Sequence, residues 1–312
     1  MDAAEDVPEE QRTIFAMGGG GFTMEPNNPL LDEFVLELAR MRRQPPSGPD
    51  SSHATPHPSL SLAHHPGQTT THSDAPARGP RILFLPTASG DTNVQINAFR
   101  ARFAGRACIA EHLSLFRLRE QERSLAEIVC EQDAIYVGGG SMRNLLALWR
   151  AHGLDRLLSK AWRRGTVLAG LSAGAMCWFE GGITCSSGPP EPLAGLGLLP
   201  GSLSVHADGE PARLPAWLAS VREGVLPGGW AVDDGVGLLF GGRRLLRAVS
   251  SRPGAGAVRV DAVAGELVRK RLAVELLGGE TTAAGLPSLT GRDEDVQELR
   301  QVQRLRRGIR DS

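Results

Sequence analysis

Read for polarity alone, the chain alternates between two periods. Short apolar runs stand at TIFAMGGGG (13–21), at RILFLPTAS from Arg81, and at ACIAEHLSLF, DAIYVGGG and TVLAGLSAG, three of them ending in a turn. Their length and aliphatic content predict buried strands. Between them, apolar residues recur every three or four positions in LLDEFVLELARMRR, Asn93 to Phe103, RSLAEIVCEQ, SMRNLLALWRAHG and LLSKAWRRG. That spacing predicts helices with one buried face, and Pro29 suits the first turn of the first of them. Strands alternating with helices imply crossover units, and so an α/β fold with a doubly wound, mostly parallel sheet flanked by helices. From about residue 226 the pattern changes to extended runs, WAVDDGVGLLF, RRLLRAVS, GAVRVDAVAG and ELVRKRLAVELL. These predict hairpin-linked strands that extend the same sheet antiparallel.

Two stretches break the pattern. Residues 45–79 are rich in Pro, Ser, Thr and His. Such a segment buries too little apolar surface to offset the entropy of ordering it, which predicts a disordered insertion. Residues 283–312 read as a polar helical or disordered tail, leaving a single domain over 1–282. Five of the eight histidines fall in the insertion, at spacings that match no compact metal site.

Composition narrows the partners. A formal net charge of −1 with 22% charged residues shows no basic stripe for nucleic acid. The arginines at 304–310 follow a run of acids and read as a solvated helix face. No stretch approaches the ~20 apolar residues of a membrane span. The N-terminus, MDAAEDVPEEQR, lacks the apolar core of a signal peptide. Cys108, Cys130, Cys177 and Cys185 form no C-x-x-C pair and read as reduced thiols of a cytoplasmic protein. Charge points to no partner class; nucleic acid and membrane are not expected, and a homodimer is left open.

The strongest chemical signal is Gly170-Leu171-Ser172-Ala173-Gly174, a G-x-S-x-G pattern between a predicted strand and a helix-compatible segment. Small residues two before and two after a serine let strand and helix approach closely around it. The turn places Ser172 at a helix start, where unpaired N–H groups favour negative charge. The N–H of Ala173 is then a natural donor to an oxyanion. Gly138–Gly140 end the preceding predicted strand and offer backbone donors without a side chain in the way. The run Gly18–Gly21 faces the same crevice in this reading. It lacks the context of a dinucleotide-binding loop.

A nucleophilic serine needs a base. Outside the insertion only His112, His152 and His206 remain. His112 lies inside an apolar run, and His152 ends a helix, where histidine is a common dipole partner. His206 follows a strand-like run and precedes a glycine turn, so elimination selects it. Cys177, five residues past the serine, reads as core packing rather than as a rival nucleophile.

At this point the sequence resembles the peptidase E family, which includes α-aspartyl dipeptidases and is related to cyanophycinases. The matching segments are FLPTASGD (84–91), YVGGGSMRNLL (136–146), GLSAGAMCWFEGGIT (170–184), LGLLPGSLSVHADGE (196–210) and DDGVGLLF (233–240). The resemblance implies a sheet of the class I glutamine amidotransferase-like type, with Ser172 as nucleophile and His206 as base. It implies an oxyanion hole from Gly139 and Ala173, no cofactor, and hydrolysis of short peptides that begin with an acidic residue. Arg213 stands where the family grips the substrate carboxylate. Cys185 stands where relatives commonly carry the acid of the triad, and a thiol cannot stabilise an imidazolium as a carboxylate does. Asp208, Glu210, Asp233 and Asp234 are the alternatives, with Glu210 preferred and the assignment open. Two other readings remain at this level. One is a hydrolase of β-aspartyl polymers or esters, and the other is a catalytically impaired homologue that only binds.

Overall fold

The computed structural model describes residues 5–43 and 79–278. The expected insertion, apart from Gly79, and the expected tail lie outside the described residues. In chain order the strands and α-helices are β1 (Thr13–Met17), α1 (Gly21–Met24), α2 (Leu30–Arg43), β2 (Arg81–Leu85), α3 (Asn93–Phe103), β3 (Ile109–His112), α4 (Leu125–Cys130), β4 (Ala134–Val137), α5 (Met142–His152), α6 (Leu154–Arg163), β5 (Val167–Leu171) and α7 (Ala173–Met176). There follow β6 (Phe179–Thr184), β7 (Glu191–Ala194), β8 (Leu199–Ser204), α8 (Arg213–Arg222), β9 (Gly229–Val232), β10 (Val236–Gly241), β11 (Arg244–Ser250), β12 (Ala257–Val263), β13 (Glu266–Arg271) and β14 (Glu275–Leu276).

The main sheet has the order β14-β11-β10-β1-β5-β4-β2-β3. Its centre, β1, β5, β4, β2 and β3, is parallel, and β10 joins β1 antiparallel. The period of two along each strand divides the core. Ile14, Leu83, Ile135 and Leu168 face one side, with α4, α5 and α6, while Phe15, Phe84, Tyr136 and Ala169 face the other, with α2 and α3. Helices therefore cover both faces, as a parallel sheet requires.

A second sheet, β13-β12-β9-β8-β6-β7, stands beside the first. One face, with Phe179, Leu203 and Trp230, merges into the core of the main sheet. The other packs on α8 through Trp217 and Val221.

The strands after 226 therefore do not all extend one sheet. β10, β11 and β14 extend the main sheet, whereas β9, β12 and β13 belong to the second. WAVDDGVGLLF is two strands, and the chain crosses between sheets at Asp233–Gly235. Likewise ELVRKRLAVELL divides into β13 and β14, one in each sheet. The run ACIAEHLSLF pairs only over β3 before the chain turns into a 3₁₀ segment at Leu115–Glu120. The helix after Ser172 is also short, one turn of α7 before the chain re-extends into β6. Among the described residues no helix is long and apolar enough to cross a membrane.

Candidate active site

Three backbone segments converge at the carboxyl end of β1 and β5, where ligands of such sheets bind. The first is the elbow. Ser172 holds φ 54° and ψ −115° between β5 and α7, a conformation that costs about 1–3 kcal/mol for a non-glycine residue. The turn is tight enough to require both flanking glycines. A Cβ on Gly170 would lie 2.0 Å from the carbonyl oxygen of Gly174. One on Gly174 would lie 2.5 Å from that of Val137. The Ser172 N–H donates to the Met17 carbonyl at 3.0 Å, which ties the elbow to β1.

The second segment follows β8. His206 also has positive φ, 54°, and its carbonyl accepts from the N–H groups of Gly209 and Glu210 at 3.1 and 2.9 Å. The third is the crossing between sheets. There the Asp234 N–H donates to the Asp208 carboxylate at 2.8 Å, and the Asp233 carboxylate accepts from the Gly256 N–H at 2.8 Å. The loop after β1 is clipped to this turn on both sides, Gly18 N–H to the Val236 carbonyl and Gly235 N–H to the Gly19 carbonyl.

Together these segments form a relay. His206 Nε2 lies 2.9 Å from Ser172 Oγ, and His206 Nδ1 lies 2.5 Å from Asp234 Oδ1. The side chains of His206 and Asp234 are each 12% exposed. The hydrogen bond to His206 holds the Asp234 carboxyl below its ordinary range, against the opposing effect of burial. The charges of His206, Arg252 and Arg213 add to the lowering. A carboxylate that stays charged on Nδ1 fixes the imidazole tautomer that leaves Nε2 facing the serine.

Two backbone segments stand beside the serine. Ala173 opens α7, and the first N–H groups of a helix have no acceptor within it. Gly139 lies against the elbow, since a Cβ there would sit 3.3 Å from Ser172 Cβ. Its carbonyl accepts from Gln95 Nε2 at 3.2 Å.

The remaining sequence candidates fall as follows. Of the four open carboxylates, Asp234 meets His206, and Glu210, the preferred one, does not. Asp208 and Asp233 brace the backbone of the Asp234 turn. Cys185 Sγ lies 3.6 Å from the Glu210 carboxylate, and burial raises its pKa. Cys177 is fully buried, donates to the Gly174 carbonyl, and is held well above the ordinary thiol pKa by burial. His112, on β3 at the edge of the sheet, contacts Arg100 of α3.

Arg213 is engaged within the chain. Its side chain is 6% exposed, and both Nε and Nη2 bind one Glu210 oxygen, at 2.9 and 2.8 Å. Nη1 binds the Ile183 carbonyl at 2.6 Å. Nε, Nη1 and Nη2 thus each have a partner within the chain.

The comparisons with known proteins agree with this architecture. Residues 68–247 match the model of peptidase family S51. An uncharacterised peptidase, YgaJ of Bacillus subtilis strain 168, is 41% identical over 267 residues, which cover 86% of this chain and all of that protein. Among solved structures, a peptidase from an acI-B1 actinobacterium superposes with a TM-score of 0.57 at 17% identity, over 84% of this chain and 94% of that one. At that identity the likeness speaks for the fold alone. With a family model spanning more than half its length and a bacterial peptidase matched from end to end, this chain belongs to peptidase family S51.

Proposed function

We propose that the chain is a serine-type peptidase that cleaves short peptides through an acyl-enzyme on Ser172. The observation that carries this reading is the unbroken relay from Ser172 Oγ through His206 to Asp234. In the first half-reaction His206 Nε2 takes the hydroxyl proton, and Oγ attacks the peptide carbonyl carbon. Asp234 steadies the imidazolium. The N–H groups of Ala173 and Gly139 hold the oxyanion, a contribution of about 3–4 kcal/mol per donor in comparable sites. His206 then gives its proton to the leaving amine as the C–N bond breaks. In the second half-reaction His206 deprotonates a water, which attacks the ester carbonyl. The acid leaves and Ser172 recovers its proton. No step calls for a cofactor.

Cleavage of peptides with an acidic first residue is the finer activity that the resemblance implies. It would place the substrate carboxylate on Arg213, which already holds Glu210, so that specificity is not carried into the proposal. A protein that binds without turnover rested on Cys185 in place of the triad acid. Asp234, reaching His206 from another segment, supplies a carboxylate to the imidazole and supports the hydrolytic reading. The test is a fluorophosphonate probe alongside hydrolysis of Ala-Leu, Lys-Leu and Asp-Leu. The wild-type protein should label at Ser172, and Ser172→Ala should lose both labelling and hydrolysis. An unlabelled wild type, or hydrolysis that survives the substitution, would sink the reading.

A further inference from the structure

Two guanidiniums act electrostatically on the Asp234 carboxylate, those of Arg213 and Arg252. Each is already matched by a carboxylate of the chain. Arg213 holds Glu210 through two hydrogen bonds. Arg252 holds Glu25, which also accepts from Ser251 Oγ at 2.9 Å. Glu210 is the exposed member of its pair, 42% against 6% for the arginine. The face turned to solvent is therefore the anion, with the cation behind it. Asp208 and Asp233 add negative charge around the same turn, where both accept from backbone N–H groups. A second carboxylate entering this crevice would have to displace Glu210 from Arg213. An ammonium or guanidinium would find Glu210 exposed and already oriented.

We infer that Glu210 is a specificity-determining residue of this site, which by occupying Arg213 makes the crevice take a cationic first residue in preference to an acidic one. The inference rests on the serine peptidase reading for the location of the substrate. It concerns which peptide fits, whereas that reading concerns what Ser172 does to it. The discrimination comes from charge placement. It is attractive for Lys-X or Arg-X peptides and repulsive for Asp-X or Glu-X, the combination that separates like-shaped ligands. Because Glu210 is partly exposed, the effect is screened by salt.

Binding to the Ser172→Ala protein tests this without turnover. Titration calorimetry with Lys-Leu, Ala-Leu and Asp-Leu should rank them in that order, with Asp-Leu weaker than Lys-Leu by about tenfold or more at low ionic strength. The gap should narrow in roughly 0.5 M salt. Adding Glu210→Gln should release Arg213 and shift the Lys-Leu to Asp-Leu ratio toward Asp-Leu by about tenfold. Asp-Leu binding as tightly as Lys-Leu, a ratio unmoved by Glu210→Gln, or no binding of any of the three overturns the inference. Fluorophosphonate labelling of the wild-type serine reports separately on the nucleophile. An active serine with the wrong preference and an inert serine therefore give different results.

Discussion

The glycine loop after β1 has two sides, and an aspartate sits against each. In front, a Cβ on Gly19 would fall 2.0 Å from Asp234 Oδ1 and 2.8 Å from His206 Cε1. Behind, a Cβ on Gly21 would fall 2.9 Å from the Tyr136 hydroxyl and 3.1 Å from Asp32 Oδ1. Both carboxylates are buried, yet their environments push them in opposite directions. The hydrogen bond to His206 lowers the pKa of Asp234. Burial raises that of Asp32 to about 6, even though Arg102 Nε lies 2.9 Å away and the Tyr136 hydroxyl donates to it at 2.9 Å. Nearness of opposite charge is thus not what separates them. Asp234 stands at the rim of a crevice on a partner that can exchange a proton, while Asp32, in the first turn of α2, is sealed at 1% exposure. In the proposed mechanism the first keeps a charge available for chemistry, and the second holds the loop in place.

If that division is right, neutralising the front aspartate removes catalysis and leaves the fold. Asp234→Asn keeps the shape and can hold His206 in the wrong tautomer. The expected loss in kcat is about 10⁴-fold, the cost of that change in a comparable triad. The melting temperature at neutral pH should move by only a few degrees. Asp32→Asn should show the reverse, with hydrolysis close to wild type and a clear loss of stability, because Arg102 is left buried without its partner. Dipeptide hydrolysis and thermal unfolding on the two variants check both halves. A slow Asp32→Asn enzyme or a fast Asp234→Asn enzyme breaks the comparison.

The front and back of the loop differ also in what the sequence reveals. The elbow is written in five contiguous residues, and its flanking glycines are enforced within the same turn, so Ser172 was legible. His206 was legible because few histidines compete with it. The parallel centre of the main sheet was legible from apolar runs alternating with helical spacing, as TIFAMGGGG, RILFLPTAS, DAIYVGGG and TVLAGLSAG show. Asp234 was one of four open carboxylates, and local pattern favoured Glu210, four residues past the histidine. What places Asp234 is the crossing of the chain from the second sheet to the first inside WAVDDGVGLLF. An apolar run of that length gives no sign that its halves pair with different sheets. The D-D-G turn signal in its middle is the one local hint. The burial of Arg213 was equally hidden, because a surface arginine and one locked on an i−3 glutamate have the same sequence.

The next effect in size separates the two faces by sterics. Gly19 needs no positive φ, so Gly19→Ala leaves the backbone unstrained and drives a methyl between Asp234 and His206. A displacement of about 1 Å at such a relay costs about a hundredfold in rate, and kcat should fall by that much or more with modest change in stability. Gly21 sits at φ 56°, where a side chain is strained, and its Cβ would press on the Tyr136 hydroxyl. Gly21→Ala should therefore cost about 1–3 kcal/mol of stability and spare most of the rate. Equal kinetic damage from both substitutions would show that the loop moves as one piece.

The smallest effect carries the sharpest sign. Asp32 has a folded pKa of about 6, above the ~3.9 of an unfolded aspartate. The folded state then binds the extra proton between those values, so stability from this group is fully present below about pH 4 and declines as pH rises toward 6. Asp234 is shifted the other way. Its contribution is fully present above about pH 4 and is lost as pH falls through its depressed folded value. Denaturant unfolding of wild type, Asp32→Asn and Asp234→Asn between about pH 2 and 7 reads both. The pairing of Arg102 adds only a constant offset to the Asp32→Asn difference, since a guanidinium stays charged throughout. The slope therefore belongs to the carboxyl. The wild-type advantage over Asp32→Asn should shrink as pH rises from 4 to 6, by about 1–3 kcal/mol. The advantage over Asp234→Asn should shrink as pH falls below 4. Slopes of the same sign would mean that the loop does not divide two electrostatic environments, and that Asp234 is held in place without being held charged.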